Sequence, residues 1–139
     1  MKKIAKLIKV KDYKIIKNKK GNIIKFLNKK NKLFQGFGEI YFSELKSKQT
    51  KGWNYHKKNI CTIIVPIGEV YFQIFNPRTK KLLKISIGKK NNKIIQIPPG
   101  YWFSFKSKTK NSLVANLMNK IHSKSETDKK SIINGIRIK

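Results

Sequence analysis

Residues 51–70, KGWNYHKKNICTIIVPIGEV, constrain the fold of this chain more than any other stretch. They read as a strand carrying Asn54 and His56, a short turn, then a buried strand that stops at a Pro66-Ile67-Gly68-Glu69 turn. Side chains of an extended strand alternate faces. Gly52, Asn54 and His56 therefore share one face, and Trp53 and Tyr55 share the other. One face carries the chemistry, and the aromatic face has to be covered.

Strand signals recur on both sides of this segment. Residues 4–10 alternate weakly and read as a first strand. Residues 12–27 read as a hairpin around Asn18-Lys19-Lys20-Gly21-Asn22. Residues 33–42, LFQGFGEIYF, are aromatic and β-branched with glycine bends, and 43–50 read as a polar loop. Residues 70–75 alternate cleanly before the turn Asn76-Pro77-Arg78-Thr79. Residues 82–87 and 93–97 read as a strand pair, 101–105 alternate, and 113–118 form a last apolar strand. Only the C-terminus suggests a helix. Ser125-Glu126-Thr127-Asp128 resembles a capping box, and Ile132, Ile133 and Ile136 follow at helical spacing. About ten short strands, with turns every eight to twelve residues or so, argue an all-β sandwich or jelly roll with a short C-terminal helix. At 139 residues the chain is one domain, 1–139.

The net charge of +28 raises the question of a nucleic-acid partner. The composition argues against one. Arg78 and Arg137 are the only arginines, whereas base readout and bidentate phosphate clamping favour arginine. Lysine, isoleucine and asparagine dominate together, as an A/T-rich coding sequence would give, so the lysines read as solvated faces. No run of about 18 apolar residues offers a membrane span. The N-terminus has no small-residue cleavage site. A single cysteine cannot form an internal disulfide, and the expected location is cytoplasmic.

Two segments resemble the cupin motifs. From His56, four residues lead to Cys61 and six more to Gly68. That is the spacing of the first cupin motif, with Asn54 at its first His, His56 at its second and Cys61 at its Glu. Ile97-Pro98-Pro99-Gly100-Tyr101-Trp102-Phe103 resembles the second motif, with Phe103 at its His. Within the cupins, four stretches taken in order resemble the dTDP-4-dehydrorhamnose 3,5-epimerase-like family, which includes nucleotide-sugar ketoisomerases. They are Gly38-Glu39-Ile40-Tyr41-Phe42-Ser43, Lys51-Gly52-Trp53, Val65-Pro66-Ile67-Gly68-Glu69-Val70 and Ile97-Pro98-Pro99-Gly100. His122 followed by Glu126 resembles the ending of a short branch of that family. The match is strongest over 33–128. It implies a cupin-type jelly roll (a double-stranded β-helix), a homodimer, a nucleotide-linked sugar as ligand, and proton transfer next to a ketone. It also implies an arginine near Arg78 that holds the nucleotide.

The residues qualify that inheritance. The epimerase base aligns with Asn54, which accepts no proton at neutral pH, whereas His56 lies two residues on and on the same face. A metal centre needs about three His or carboxylate ligands. His56 alone survives at the motif positions, so no metal and no other cofactor is expected. A metal-free proton shuttle remains, with His56 as base, Lys51 stabilising the enolate oxygen and Tyr41 returning a proton. Asn54, Glu39, Arg78 and His122 are the candidate substrate-binding residues; Glu39 shares a strand face with Tyr41. His56 also fits a structural histidine bonded to a neighbouring strand. Two other functions stay open: a sugar-nucleotide-binding cupin that has lost catalysis, and a basic nucleic-acid-binding protein. Cys61, in an apolar run, reads as an inert core thiol.

Overall fold

The computed structural model describes residues 7–138. Fourteen strands follow one another: β1 (Lys9–Asp12), β2 (Lys14–Ile16), β3 (Ile23–Lys25), β4 (Glu39–Lys46), β5 (Thr50–His56), β6 (Cys61–Ile67), β7 (Glu69–Phe75), β8 (Leu82–Gly88), β9 (Lys93–Ile97), β10 (Trp102–Ser107), β11 (Asn111–Met118), β12 (Thr127–Lys129), β13 (Ile132–Ile133) and β14 (Ile136–Arg137). The first sheet has the order β1-β9-β6-β11-β4 and the second β12-β5-β10-β7-β8, with every pairing antiparallel. Apart from β7 and β8, neighbours in space are distant in sequence, as in a jelly roll. The all-β expectation holds. Residues 4–6 of the expected first strand lie outside the described residues.

The inner faces of the two sheets meet in one core. Ile63 and Val65 of β6, Val114 and Met118 of β11 and Ile95 of β9 pack against Phe72 and Ile74 of β7 and Phe103 and Phe105 of β10. Each sheet's outer face is covered by its own hairpin or loop. On the first sheet, Ile64, Ile94 and Ala115 are covered by Leu33 with Tyr13, Phe26 and Leu27 from the segment around β2 and β3. On the second sheet, Trp53 and Trp102 lie under Ile133 and Ile136 of the β13–β14 hairpin. Trp53 is fully buried, and its Nε1–H donates to the Ile136 carbonyl at 3.0 Å. Burying a side chain of this size stabilises the fold by roughly 2–3 kcal/mol. The aromatic face of β5 is therefore sealed, which leaves Asn54 and His56 facing inward.

Three expectations need correction. The C-terminal helix is absent: one 3₁₀ turn, Lys124–Glu126, leads into β12 and then the β13–β14 hairpin. Asn134 and Gly135 between the last two strands both have positive φ, 51° and 74°. Asn-Gly is the dipeptide that a two-residue hairpin turn prefers, and it outweighs the helical spacing of the isoleucines. The strand expected at 33–42 starts only at Glu39 and runs on to Lys46, because Leu33 turns away to cover the outer face of the first sheet. Finally, β8 and β9 belong to different sheets and do not pair with each other.

Candidate functional site

Inside the barrel, β7, β10 and β5 carry a row of rings. Phe72 stacks on Phe105 with centroids 5.4 Å apart, Phe105 on Phe103 at 6.3 Å, and Phe103 on His56 at 6.0 Å. The imidazole therefore ends an aromatic stack that begins in the core. Phe103, standing where the second cupin motif has a histidine, serves as its platform. Close approach of β5 to β10 depends on Gly52. Its φ is +119°, and a Cβ there would stand 2.7 Å from the Phe103 carbonyl oxygen.

His56 is 5% exposed and its ring is held by Glu126, itself 7% exposed. Nδ1 lies 2.8 Å from Oε2 and 3.1 Å from Oε1 of that carboxylate. β12 pairs with β5 with Thr127 opposite His56, which brings the preceding residue, Glu126, over the ring. Glu126 Oε1 also accepts the backbone N–H of Asn59 at 2.8 Å and of Lys58 at 3.3 Å. Burial pushes the Glu126 carboxyl upward. The Asn59 N–H, the hydrogen bond and charge of His56 and the Lys58 N–H outweigh it, so the group sits below the usual glutamate range. An ionised carboxylate only accepts hydrogen bonds, so Nδ1 must carry a proton. In the neutral ring Nε2 is then bare, and no described residue bonds it.

The His56 side chain lines a hollow with two chambers. The smaller, about 290 Å³, is lined by Glu39, Tyr41, Asn54, His56, His122, Thr127 and Lys129. The larger, about 490 Å³, takes in Ser43, Lys51, Gly52, Phe103 and Asn116. Tyr41, Asn54 and Lys129 line both and form the waist between them. Together the chambers are of the size that small-molecule sites usually have.

The sequence-derived residues divide accordingly. His56, Tyr41, Asn54, Glu39 and His122 meet in the smaller chamber. The His122 ring stands edge-on to His56 with centroids 6.4 Å apart, and its backbone N–H donates to Glu39 Oε2 at 3.0 Å. Lys51 lines the larger chamber, and its Nζ donates to Ser43 Oγ at 2.7 Å, away from His56. Arg78 lies exposed in the β7–β8 turn and lines neither chamber. On the opposite wall, Tyr41 is 39% exposed toward the hollow, and its Oη accepts a hydrogen bond from Asn116 Nδ2 at 2.9 Å. Burial, with smaller pushes from Cys61, Glu39 and Glu126, raises the Tyr41 phenol above its ordinary 10.0 against the pull of Asn116, so it stays a proton donor. Burial likewise pushes the Cys61 thiol up to about 12, and it takes no part. Asn116 and Lys129 are the residues that the motifs did not yield, and Glu126 entered only through the ending that follows His122, with no role attached. Among the described residues no group of three His, Cys, Asp or Glu side chains is placed to hold a metal.

The family model described as polysaccharide biosynthesis C-terminal domain matches residues 16–130. No curated protein matches the chain by sequence. Among solved structures, a dTDP sugar isomerase from Desulfovibrio desulfuricans G20 superposes with a TM-score of 0.86 at 25% identity, covering 91% of this chain and 85% of its own. A dTDP-4-dehydrorhamnose 3,5-epimerase from Sulfolobus tokodaii superposes with a TM-score of 0.81 at 18% identity, over 95% and 85% of the two chains. A sugar 3,4-ketoisomerase from Thermoanaerobacterium thermosaccharolyticum, in complex with TDP, gives 0.77 at 17% identity over 90% and 89%. The last two, at that identity, bear on the fold.

Proposed function

Because the chain belongs to the polysaccharide biosynthesis C-terminal domain family, we propose that it is a nucleotide-sugar isomerase or epimerase. It would move a proton beside a ketone in the making of a surface polysaccharide. One observation carries the reading: a buried imidazole whose Nδ1 is clamped to a carboxylate while the ring lines a ligand-sized hollow. That is the arrangement of an oriented general base.

The step follows from the geometry. His56 Nε2 removes the proton from a carbon next to the ketone. The C–H electron pair becomes the C=C bond of an enediol, and the carbonyl π pair moves onto oxygen, where the Tyr41 O–H meets it. Returning the proton to the former carbonyl carbon, while the hydroxyl of the first carbon becomes the new carbonyl and its hydrogen replaces the one Tyr41 gave, gives the isomer; returning it to the opposite face of the first carbon gives the epimer. The charge that forms on His56 is met by Glu126, as a triad carboxylate meets its imidazolium. The chemistry is metal-free in this reading. Lys51 and Lys129 flank the larger chamber and suit the diphosphate of a TDP sugar, the ligand class of several of the solved neighbours. Asn54, Glu39 and His122 supply hydrogen-bonding groups to the sugar. A homodimer and a cytoplasmic site of action belong to the same reading. Ile40, Phe42 and Ile67, on the outer face near the β4 edge, are 42%, 61% and 58% exposed, which supports a second copy packing there.

The test is incubation with TDP-4-keto-6-deoxyglucose in deuterated buffer, followed by proton NMR. Loss of the signal from the hydrogen beside the ketone is expected. Protection of the fold against heat by the nucleotide sugar, with no exchange, would favour the binding cupin without catalysis, the reading that Asn54 supports. Neither exchange nor protection, with a steep salt-dependent affinity for DNA beyond that of polylysine, would favour the nucleic-acid binder.

A further inference from the structure

The mechanism leaves one buried polar residue of the cavity wall without a part. Asn116 lies mid-strand in β11, opposite Tyr41 of β4 on one side and Ile63 of β6 on the other. It is 3% exposed and lines the larger chamber among Ile63, Val114 and Phe105. Its Nδ2 donates to Tyr41 Oη at 2.9 Å, while its Oδ1 has no partner. The amide also lies near Cys61 and tempers the rise of that thiol, which burial dominates. A side chain kept only for packing would be apolar at this position, because a half-satisfied buried amide weakens the fold.

We infer that Asn116 is a positioning residue for Tyr41: by donating to the phenol oxygen it turns the phenol's own proton away from the sheet and into the hollow, toward the ketone oxygen of the substrate. The inference rests on the isomerase or epimerase reading. A phenol has one hydrogen to give, and its direction depends on what the oxygen already accepts. With Asn116 Nδ2 on that oxygen, no described residue accepts the Tyr41 hydrogen, and the hollow is the direction left open. The reverse amide orientation would draw the phenol hydrogen onto Oδ1 and offer the substrate only lone pairs. The sense of this one hydrogen bond thus decides whether Tyr41 can stabilise an enolate.

Asn116→Asp separates the two senses, because a carboxyl group at that position accepts the phenol hydrogen. Its kcat should fall by about 100-fold, as far as that of Tyr41→Phe, with KM changed little. Asn116→Asp added to Tyr41→Phe should cost nothing further. Asn116→Leu, which matches the apolar neighbours, provides the same cycle if the aspartate variant does not fold; its loss too should vanish in the Tyr41→Phe background. TDP protection against heat checks that each variant keeps its site. Losses that multiply in the double variants, or an Asn116→Asp enzyme with full kcat, would overturn the inference while leaving the proposed function standing. Absence of exchange in the unaltered protein would instead remove the function.

Discussion

The two walls of the hollow keep their polar groups in different states of completion. On the wall built by β5 and β12, Glu126 accepts from His56, Asn59 and Lys58, which engages both carboxylate oxygens and clamps Nδ1 of the imidazole. On the wall built by β4 and β11, the Tyr41–Asn116 pair leaves both an amide oxygen and a phenol hydrogen unused. On the first wall the carboxylate is engaged without any ligand, so the imidazole is oriented and its Nδ1 proton fixed in the free protein. In the proposed reaction the second wall would be completed by substrate. Satisfied buried networks rigidify, and unsatisfied ones mark where something else must bind.

Breaking the finished wall should cost most. His56→Ala removes the base, and exchange of the keto-sugar hydrogen should drop by about 10⁴-fold, the upper end for general acid–base catalysis, as followed by NMR. Glu126→Gln comes next. The Asn59 N–H claims the amide oxygen, so the amide NH₂ must face Nδ1 and drive the ring proton onto Nε2. A kcat loss of about 10³-fold is expected, somewhat below the roughly 10⁴-fold cost of inverting a histidine tautomer in a triad.

The same substitution changes the acid stability. The folded Glu126 carboxyl lies below its ordinary 4.5, so the unfolded chain binds a proton first as pH falls. The stability this group supplies is therefore present above that value and is lost as pH drops through the folded pKa. Chemical denaturation at a series of pH values should show that acid limb flattened in Glu126→Gln. At neutral pH the variant should be less stable by about 2 kcal/mol.

Breaking the open wall should cost less. Tyr41→Phe should lower kcat by about 100-fold with KM nearly unchanged, because its donor acts only on the developing enolate. His122→Ala, at the mouth of the smaller chamber, should raise KM about fivefold and leave kcat alone, the worth of one exposed hydrogen bond to substrate. A kcat effect there as large as that of Tyr41→Phe would mean that the two walls share the proton-transfer work.

Much of the finished wall was legible in the sequence. Alternation alone put Asn54 and His56 on one face and Trp53 on the other, and β5 keeps that division. Glu39 and Tyr41 likewise share the cavity face of β4. Glu126 was visible in the ending that follows His122, but its pairing with His56 was not legible. Glu126 is seventy residues away, and its segment carried a competing capping-box signal, although it is one of only six acids in the chain. Asn116 was hidden for another reason: it sits in an apolar run, where periodicity assigns a core position without saying what its amide meets. Arg78, proposed from the family resemblance, lies in the β7–β8 turn at the edge of the second sheet, outside both chambers.

The central claim is that both walls close on one substrate, and a crystal structure of the complex with a TDP-linked 4-keto sugar tests it most directly. The account predicts His56 Nε2 within about 3.5 Å of a carbon next to the ketone, with Tyr41 Oη on the ketone oxygen. A sugar seated in the larger chamber, with His56 Nε2 facing solvent or a protein acceptor, would contradict it.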